Sequence, residues 1–322
     1  MKPFVKVDEG GPVVSEPGKV EVLTPRDVPL GGPRAMTVRR TLPQRQRSLI
    51  GAWCFADHYG PDDVAATGGM DVAPHPHTGL QTVSWLFSGE IEHRDSLGSH
   101  AFVRPGELNL MTGGHGIAHT EVSTPRTTVL HGVQLWVALP DAHRDAPRDF
   151  QHHEPEPVRL PGAALRVFLG ALAGATSPVR TFTPLLGAEL LLDPGADLTL
   201  PVDPAFEHGL LVDTGTVRFA GTPLKPAELG YTAPGHDHLT LTNDSDTTPA
   251  RVVLLGGPPF EEEIVMWWNF VCRTHDEVVR ARADWMAELG GPRFGEVEGY
   301  DGGPLPAPEL PTVPLKPRRR AV

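Results

Sequence analysis

Two short pairs of residues in this chain carry ligand chemistry. His75-Pro76-His77 and His119-Thr120-Glu121 each place two donor side chains at positions i and i+2. On a β-strand alternate side chains share a face, so each pair aims two groups at one spot. Together they offer three imidazoles and one carboxylate, a donor set suited to a divalent transition metal. The stretch between them is rich in Gly turns and β-formers, which predicts one small barrel with a metal in its mouth. A lone histidine is usually structural, but two such pairs in one β-rich segment favour metal binding.

The elements that position these pairs read as strands. Thr82-Val83-Ser84-Trp85-Leu86-Phe87 is rich in β-branched and aromatic residues, and Ser88-Gly89 is its turn. Ile91 to Asp95 returns, Leu97-Gly98 turns again, and Pro105-Gly106-Glu107 opens Leu108 to Met111. Gly113-Gly114-His115-Gly116 leads into the second pair, and Val129 to Leu139 forms another strand. Ser48 to Phe55 reads as a buried segment ending in a turn at Asp57 to Pro61. His93 reads as an ordinary strand residue, Trp85 and Trp136 as core, and Trp267-Trp268 as packing between domains. Cys54 reads as a small buried hydrophobe.

Composition narrows the class. The 322 residues suffice for two domains, and 35 Gly with 35 Pro scattered between apolar runs suggest the many turns of an all-β architecture. No apolar run approaches ~20 residues, so no membrane span is expected. The charged start, Met1 to Gly11, lacks the apolar core of a signal peptide. Two cysteines, Cys54 and Cys272, do not make a disulfide scaffold, and a cytoplasmic location is expected. A net charge of -12 argues against direct nucleic-acid binding. The basic run Lys316 to Arg320 reads as a solvated end.

The second half echoes the first. Ser88-Gly89-Glu90-Ile91 matches Thr214-Gly215-Thr216-Val217, and Pro105-Gly106-Glu107-Leu108 matches Pro226-Ala227-Glu228-Leu229. Counted back from Gly89 and Gly215, His75 and His77 fall opposite Pro201 and Asp203. The second module therefore lacks the first ligand pair, and one metal per chain is expected. Thr274-His275-Asp276-Glu277 is a capping box, and Val278, Arg282, Trp285 and Leu289 follow at helical spacing. The expected organisation is a flexible lead-in over 1–20, a metal-binding module over 21–140 and a polar linker over 141–160. A second module without metal follows over 161–298, with a helix at 275–289 and a Pro/Gly/Arg-rich tail over 299–322. Leu305 to Leu315 is expected to lie across a domain as an extended arm.

These residues also carry a family likeness. Pro74-His75-Pro76-His77-Thr78-Gly79-Leu80-Gln81-Thr82-Val83 resembles the signature of the pirin family. So do Gly89 to Gly98, Pro105-Gly106-Glu107-Leu108, Gly116-Ile117-Ala118-His119-Thr120-Glu121 and Gly132-Val133-Gln134-Leu135-Trp136-Val137. The likeness is dense from 35 to 140 and looser beyond. It implies a bicupin of the cupin superfamily: two jelly-roll-like β-barrels related by duplication, face to face, with iron in the first. It implies that His75, His77, His119 and Glu121 are the ligands, in agreement with their spacing. Gln81 stands where several pirins carry Glu and is expected to be a hydrogen bonder near the metal or substrate. His115 is an extra imidazole expected close to the site, and Phe55, Met111 and Ile117 are expected to line an apolar slot.

The resemblance implies two functions. One is a quercetin 2,3-dioxygenase-like oxygenase that opens a flavonol-like substrate with O₂, Glu121 serving as ligand and base. The other is a non-catalytic, redox-sensitive partner of a transcription factor or metabolic enzyme. Fe(2+) is the metal the family leans to, while the donors alone also accept Mn, Co, Ni, Cu or Zn. A deep, solvent-connected apolar cavity would favour the enzyme, and a shielded metal under a charged surface the switch.

Overall fold

The computed structural model describes residues 19–29, 36–289 and 291–318. Most of the expected lead-in and the last two arginines of the basic run, Arg319 and Arg320, lie outside the described residues. The chain folds into two β-modules of the same plan, each a seven-stranded sheet facing a four-stranded one. In the first module the larger sheet runs Asp149–His153, Leu108–Thr112, Leu80–Ser88, Val129–Ala138, Trp53–Asp63, Thr37–Leu42 and Arg26–Pro29. Its smaller sheet runs Asp71–His77, Ile117–Ser123, Ile91–Asp95 and His100–Val103. The second module repeats this with a sheet centred on Glu207–Thr214 and Ala250–Gly257 and a smaller one built on Asp197–Pro201 and His238–Asn243. The matching plans bear out the duplication read from the paired turns.

The period of two along each strand separates two cores. Val83, Trp85, Leu108, Leu110, Val133 and Leu135 face the second module and pack with Phe168, Leu211, Leu229, Tyr231, Val253 and Leu255. The two large sheets therefore meet face to face over one shared apolar layer. Trp53 Nε1 donates to Leu186 O and Gly256 O, and Trp85 Nε1 donates to Glu189 Oε2 at 2.8 Å, which satisfies both buried indoles. Leu210 and Val212, on the opposite face from Leu211, fill the interior of the second barrel with Leu190, Leu254 and Phe219.

The modules are also tied together by chain and by charge. Glu21–Leu23, expected in the first module, pairs with Leu229, Gly230 and Tyr231 of the second. The polar segment expected to be a linker supplies Asp149–His153 to the edge of the first large sheet and Val158–Leu160 to the edge of the second. Edge strands keep one side in water, so polar residues suit them. Asp213 of the second module reaches across to His58 Nε2 at 2.7 Å and His131 Nε2 at 2.6 Å in the first.

The turn expected at Asp57 to Pro61 is instead a bulge inside the strand Trp53–Asp63, where the register with Val129–Ala138 shifts between Leu130 and Gly132. Gly60 has φ +77°, and a Cβ there would lie 2.1 Å from Leu130 O, so the bulge requires glycine. The C-terminal helix runs His275–Glu288, with Thr274 Oγ1 accepting from Glu277 N–H as the capping box predicts. Val278, Ala281 and Trp285 are buried, whereas Leu289 is a partly exposed cap with φ +45°. The extended arm is present: Trp285 Nε1 donates to Leu305 O, Leu305 N–H to Pro74 O, and Arg318 pairs with Ile264. Arg318 is thus tethered rather than freely solvated. No helix among the described residues is long and apolar enough to cross a membrane.

Candidate functional site

Cross-strand register brings the two ligand pairs together. In the small sheet of the first module His75 stands opposite His119 and His77 opposite Ile117. On the other side of the same strand Asp95 stands opposite His119 and His93 opposite Glu121. The donor nitrogens of His75, His77 and His119 lie within 4.8 Å of one another, and the Nε2 atoms of His77 and His119 are 3.0 Å apart. Glu121 joins this group through His119 and His93, with which it forms a second cluster of the same span. All five side chains are buried.

The electrostatics fit ligation. Burial pushes His75 down to about 4, against a smaller opposing pull from the Ala73 carbonyl. Burial, with the neighbouring imidazoles, holds His77 and His119 well below the ordinary histidine range. All three are neutral at pH 7, the form that binds metal. His75 Nδ1 lies 3.0 Å from Ala73 O, which places its proton there and its lone pair on Nε2. Burial raises the Glu121 pKa, with His93 and the Ser84 hydrogen bond opposing it. Ser84 Oγ lies 3.0 Å from both Glu121 Oε1 and Gln134 Oε1. Three convergent neutral imidazoles beside a buried carboxylate fit a divalent transition metal.

A cavity of about 460 Å³ opens onto these residues, with His75, His77 and Glu121 in its wall. Phe55 and Trp136, directly opposite in register, stack at 4.0 Å and 12° to form a flat aromatic face. Val72, Trp268, Leu305 and Pro306 add apolar surface, and Arg40, Gln134 and Asn269 add polar groups. The Arg40 guanidinium lies 4.3 Å over the Phe55 ring and is held by two 2.7 Å hydrogen bonds to Asp57.

Several expected positions differ. Gln81 shares its strand face with Val83 and Trp85, so it points into the layer between modules and donates to Thr112 Oγ1. Ser84, on the other face, is the residue that meets Glu121. His115 is exposed on the turn before Ile117 and does not line the cavity. Phe55 lines the cavity as expected, whereas Met111 and Ile117 are buried and are absent from its wall. Trp136, read as core, lines it.

The sequence reading missed His93, Asp95, Ser84 and the covering residues Trp268 and Asn269. Trp268 and Asn269 form the tip of the hairpin joining Val265–Trp267 to Phe270–Cys272, with Trp268 at φ +50°. Nothing local marks that hairpin as part of the site. His93 had a signal: it and Asp95 stand at positions i and i+2, the same spacing as the ligand pairs.

The sequence pattern of the Pirin family matches residues 35–137, and that of the Pirin C-terminal cupin domain matches residues 187–290. A Pseudomonas aeruginosa protein named "Putative quercetin 2,3-dioxygenase" is 47% identical over 290 residues, covering 90% of each chain. A pirin-like protein of Caulobacter vibrioides is 36% identical over 281 residues, covering 84% of this chain and 94% of its own. The crystal structure of a quercetin 2,3-dioxygenase from Acinetobacter baumannii superimposes with a TM-score of 0.86 at 38% identity, covering 94% of this chain and 98% of that one. With both modules matched in order and the four paired donors on one inner face, the chain belongs to the pirin family of the cupin superfamily.

Proposed function

We propose that the first module is a metal-dependent oxygenase of the quercetin 2,3-dioxygenase type, acting with O₂ on a flat, hydroxylated aromatic such as a flavonol. The observation that carries this reading is the cluster of neutral imidazoles and one carboxylate in the wall of an aromatic-lined cavity. The names of the Pseudomonas and Acinetobacter relatives support the same reaction class. His75, His77, His119 and Glu121 would hold the metal, and Fe(2+) is the ion the pirin likeness implies. The bound metal would supply Lewis acidity and electron exchange with O₂.

The chain's own residues explain how a flavonol would be received. The Phe55–Trp136 pair offers a face on which a planar ring stacks, with Trp268 and Leu305 at the cavity's other walls. Arg40 and Gln134 supply hydrogen-bonding groups for substrate oxygens. Glu121, made more basic by burial and beside the Ser84 hydroxyl, is placed to take the proton of an enolic hydroxyl. A cavity that reaches the imidazoles is what the enzymatic reading needs and what a shielded redox switch would lack. Cys54 and Cys272, both buried and free, suit a reducing cytoplasm.

The test is anaerobic purification, metal analysis, loading with Fe(2+) and oxygen uptake with quercetin. Stoichiometric metal with quercetin-dependent uptake supports the reading. Stoichiometric metal without uptake on any flavonol tried removes the dioxygenase assignment.

A further inference from the structure

The second barrel carries a feature of its own, away from the metal cluster. Along Glu207–Thr214 the side chains alternate, with Leu211 in the layer between modules and Leu210 and Val212 inside the second barrel. His208 shares the inner face with Leu210. It is completely buried, and neither of its ring nitrogens meets a hydrogen-bond partner among the described residues. Thr232 stands opposite His208 in register, and its buried Oγ1 likewise lacks a partner. Buried polar groups left in this state are costly, so adjacent ones mark a place where something else completes the bonding.

A cavity of about 460 Å³ reaches His208, with Thr232 beside it on the neighbouring strand. Its walls include Leu172, Leu186, Val202, Phe206 and His208, with the exposed Asp203 at its rim. Phe206 lies 6.2 Å from the His208 ring. The duplication explains the space. By the turn-to-turn count, Thr82 occupies in the first barrel the position of His208, and Trp136 faces Thr82 in register. In the second barrel Gly256 faces His208 instead. A Cβ on Gly256 would lie 3.1 Å from His208 Cδ2, a tight contact, so the glycine leaves room for the imidazole. Pro201 and Asp203, which replace the first ligand pair, both line this cavity.

The chemistry selects a ligand class. Among the described residues no Lys or Arg lines the cavity, so an anion finds no counter-charge there. Burial, reinforced by His236, holds His208 down to about 4, so at pH 7 it offers one N–H donor and one acceptor. A hydroxyl group both donates and accepts, which matches an imidazole beside a threonine. We propose that the mouth of the second barrel binds a small, uncharged, mostly apolar molecule bearing a hydroxyl group, with His208 and Thr232 completing its hydrogen bonds. This site is independent of the metal and of the oxygenase reading.

Phenol is a suitable probe, added to the metal-free full chain at pH 7 and followed by nitrogen spectra of the imidazole rings. Saturable shifts of the His208 nitrogens are expected, with benzene binding about tenfold more weakly, a difference of about 1.4 kcal/mol. Phenol binding measured by calorimetry should be lost in the double variant His208→Phe with Thr232→Val and kept in His77→Ala. Shifts confined to His75, His77 and His119, equal affinity for benzene, or no saturable shift would each overturn the proposal. The wild-type ring shifts need no variant, so a variant that fails to fold leaves the test decisive.

Discussion

His93 Nδ1 lies 3.4 Å from His119 Nδ1, on the neighbouring strand of the small sheet. On its other side His93 Nε2 lies 3.1 Å from Asp95 Oδ2. Asp95 is itself fixed by the backbone N–H groups of Leu97 and Ser99, both donating to Oδ1. A carboxylate accepts only, so the His93 proton belongs on Nε2 and its Nδ1 accepts from His119. That arrangement leaves the lone pair of His119 on Nε2, the atom that faces His77. Asp95 and His93 thereby set the tautomer of a proposed ligand from behind.

Replacing His93 with Phe keeps ring packing on Phe150, which lies 4.8 Å away, but removes the acceptor for His119. Metal affinity should fall by about 10–100-fold while the thermal transition of the metal-free protein changes little. Competition with a chromophoric chelator measures it, and His93→Gln should restore part of the loss. An unchanged dissociation constant in His93→Phe would reduce His93 to a packing residue.

Gln81 tests the face assignment. Its side chain lies in the layer between modules, where its Nε2 donates to Thr112 Oγ1 at 3.0 Å. Gln81→Ala should therefore lower stability by about 1–3 kcal/mol and leave metal content and affinity as they are. Urea unfolding and metal analysis on one preparation separate the two effects. Lost metal at full stability would return Gln81 to the site.

The contrast between these residues shows what a sequence discloses here. His75 with His77 and His119 with Glu121 were legible because strand periodicity is local and each pair lies within one strand. The helix at His275–Glu288 was legible because its cap is a four-residue pattern. Gln81 was misplaced because the turn at Thr78-Gly79 separates it from His77, and one residue of parity moves a side chain to the other face. His93 reads as an ordinary strand residue because its contact with the ligand group is to His119 on the neighbouring strand, and register is not written in either strand alone. Trp268 reaches the cavity from a hairpin remote in sequence, and Glu21–Leu23 crosses to the other module, so neither could be read from local pattern.

Asp213 is a charge that joins the modules. Burial pushes its pKa up, but hydrogen bonds from His131 and His58 and their charges outweigh it and hold the carboxyl far below its usual range. Arg251 adds a contact of 3.3 Å to Oδ2. A carboxylate with a depressed pKa stabilises the fold above its unfolded pKa and loses that contribution as pH falls through the folded value, here in strong acid. At neutral pH Asp213→Ala should cost about 3–5 kcal/mol, because buried partners are left unpaired. Adding His58→Phe should recover part of this, a coupling that a double-mutant cycle in urea would report. A loss below about 0.5 kcal/mol would make the contact a surface-like pair of little consequence.

His208 gives the stability curve of the metal-free protein a predictable slope. Its pKa in the fold is about 4, lowered first by burial and then by His236, against an unfolded value near 6.5. With the folded value depressed for a base, the neutral form is the one the fold prefers. Above pH 6.5 neither state binds the proton, so nothing is lost. Between about pH 6.5 and 4 the unfolded chain takes a proton that the native chain refuses, and stability falls as pH falls. The whole window corresponds to about 3 kcal/mol, and below pH 4 the slope from this residue ends. His208→Phe removes this contribution while the remaining histidines titrate as before. Urea unfolding at pH 7 and pH 4.5 should therefore show a smaller acid loss in the variant, by about 2–3 kcal/mol. Equal losses in the two proteins would mean that His208 is as free to protonate in the fold as in the unfolded chain, and the second barrel would then hold it open to water.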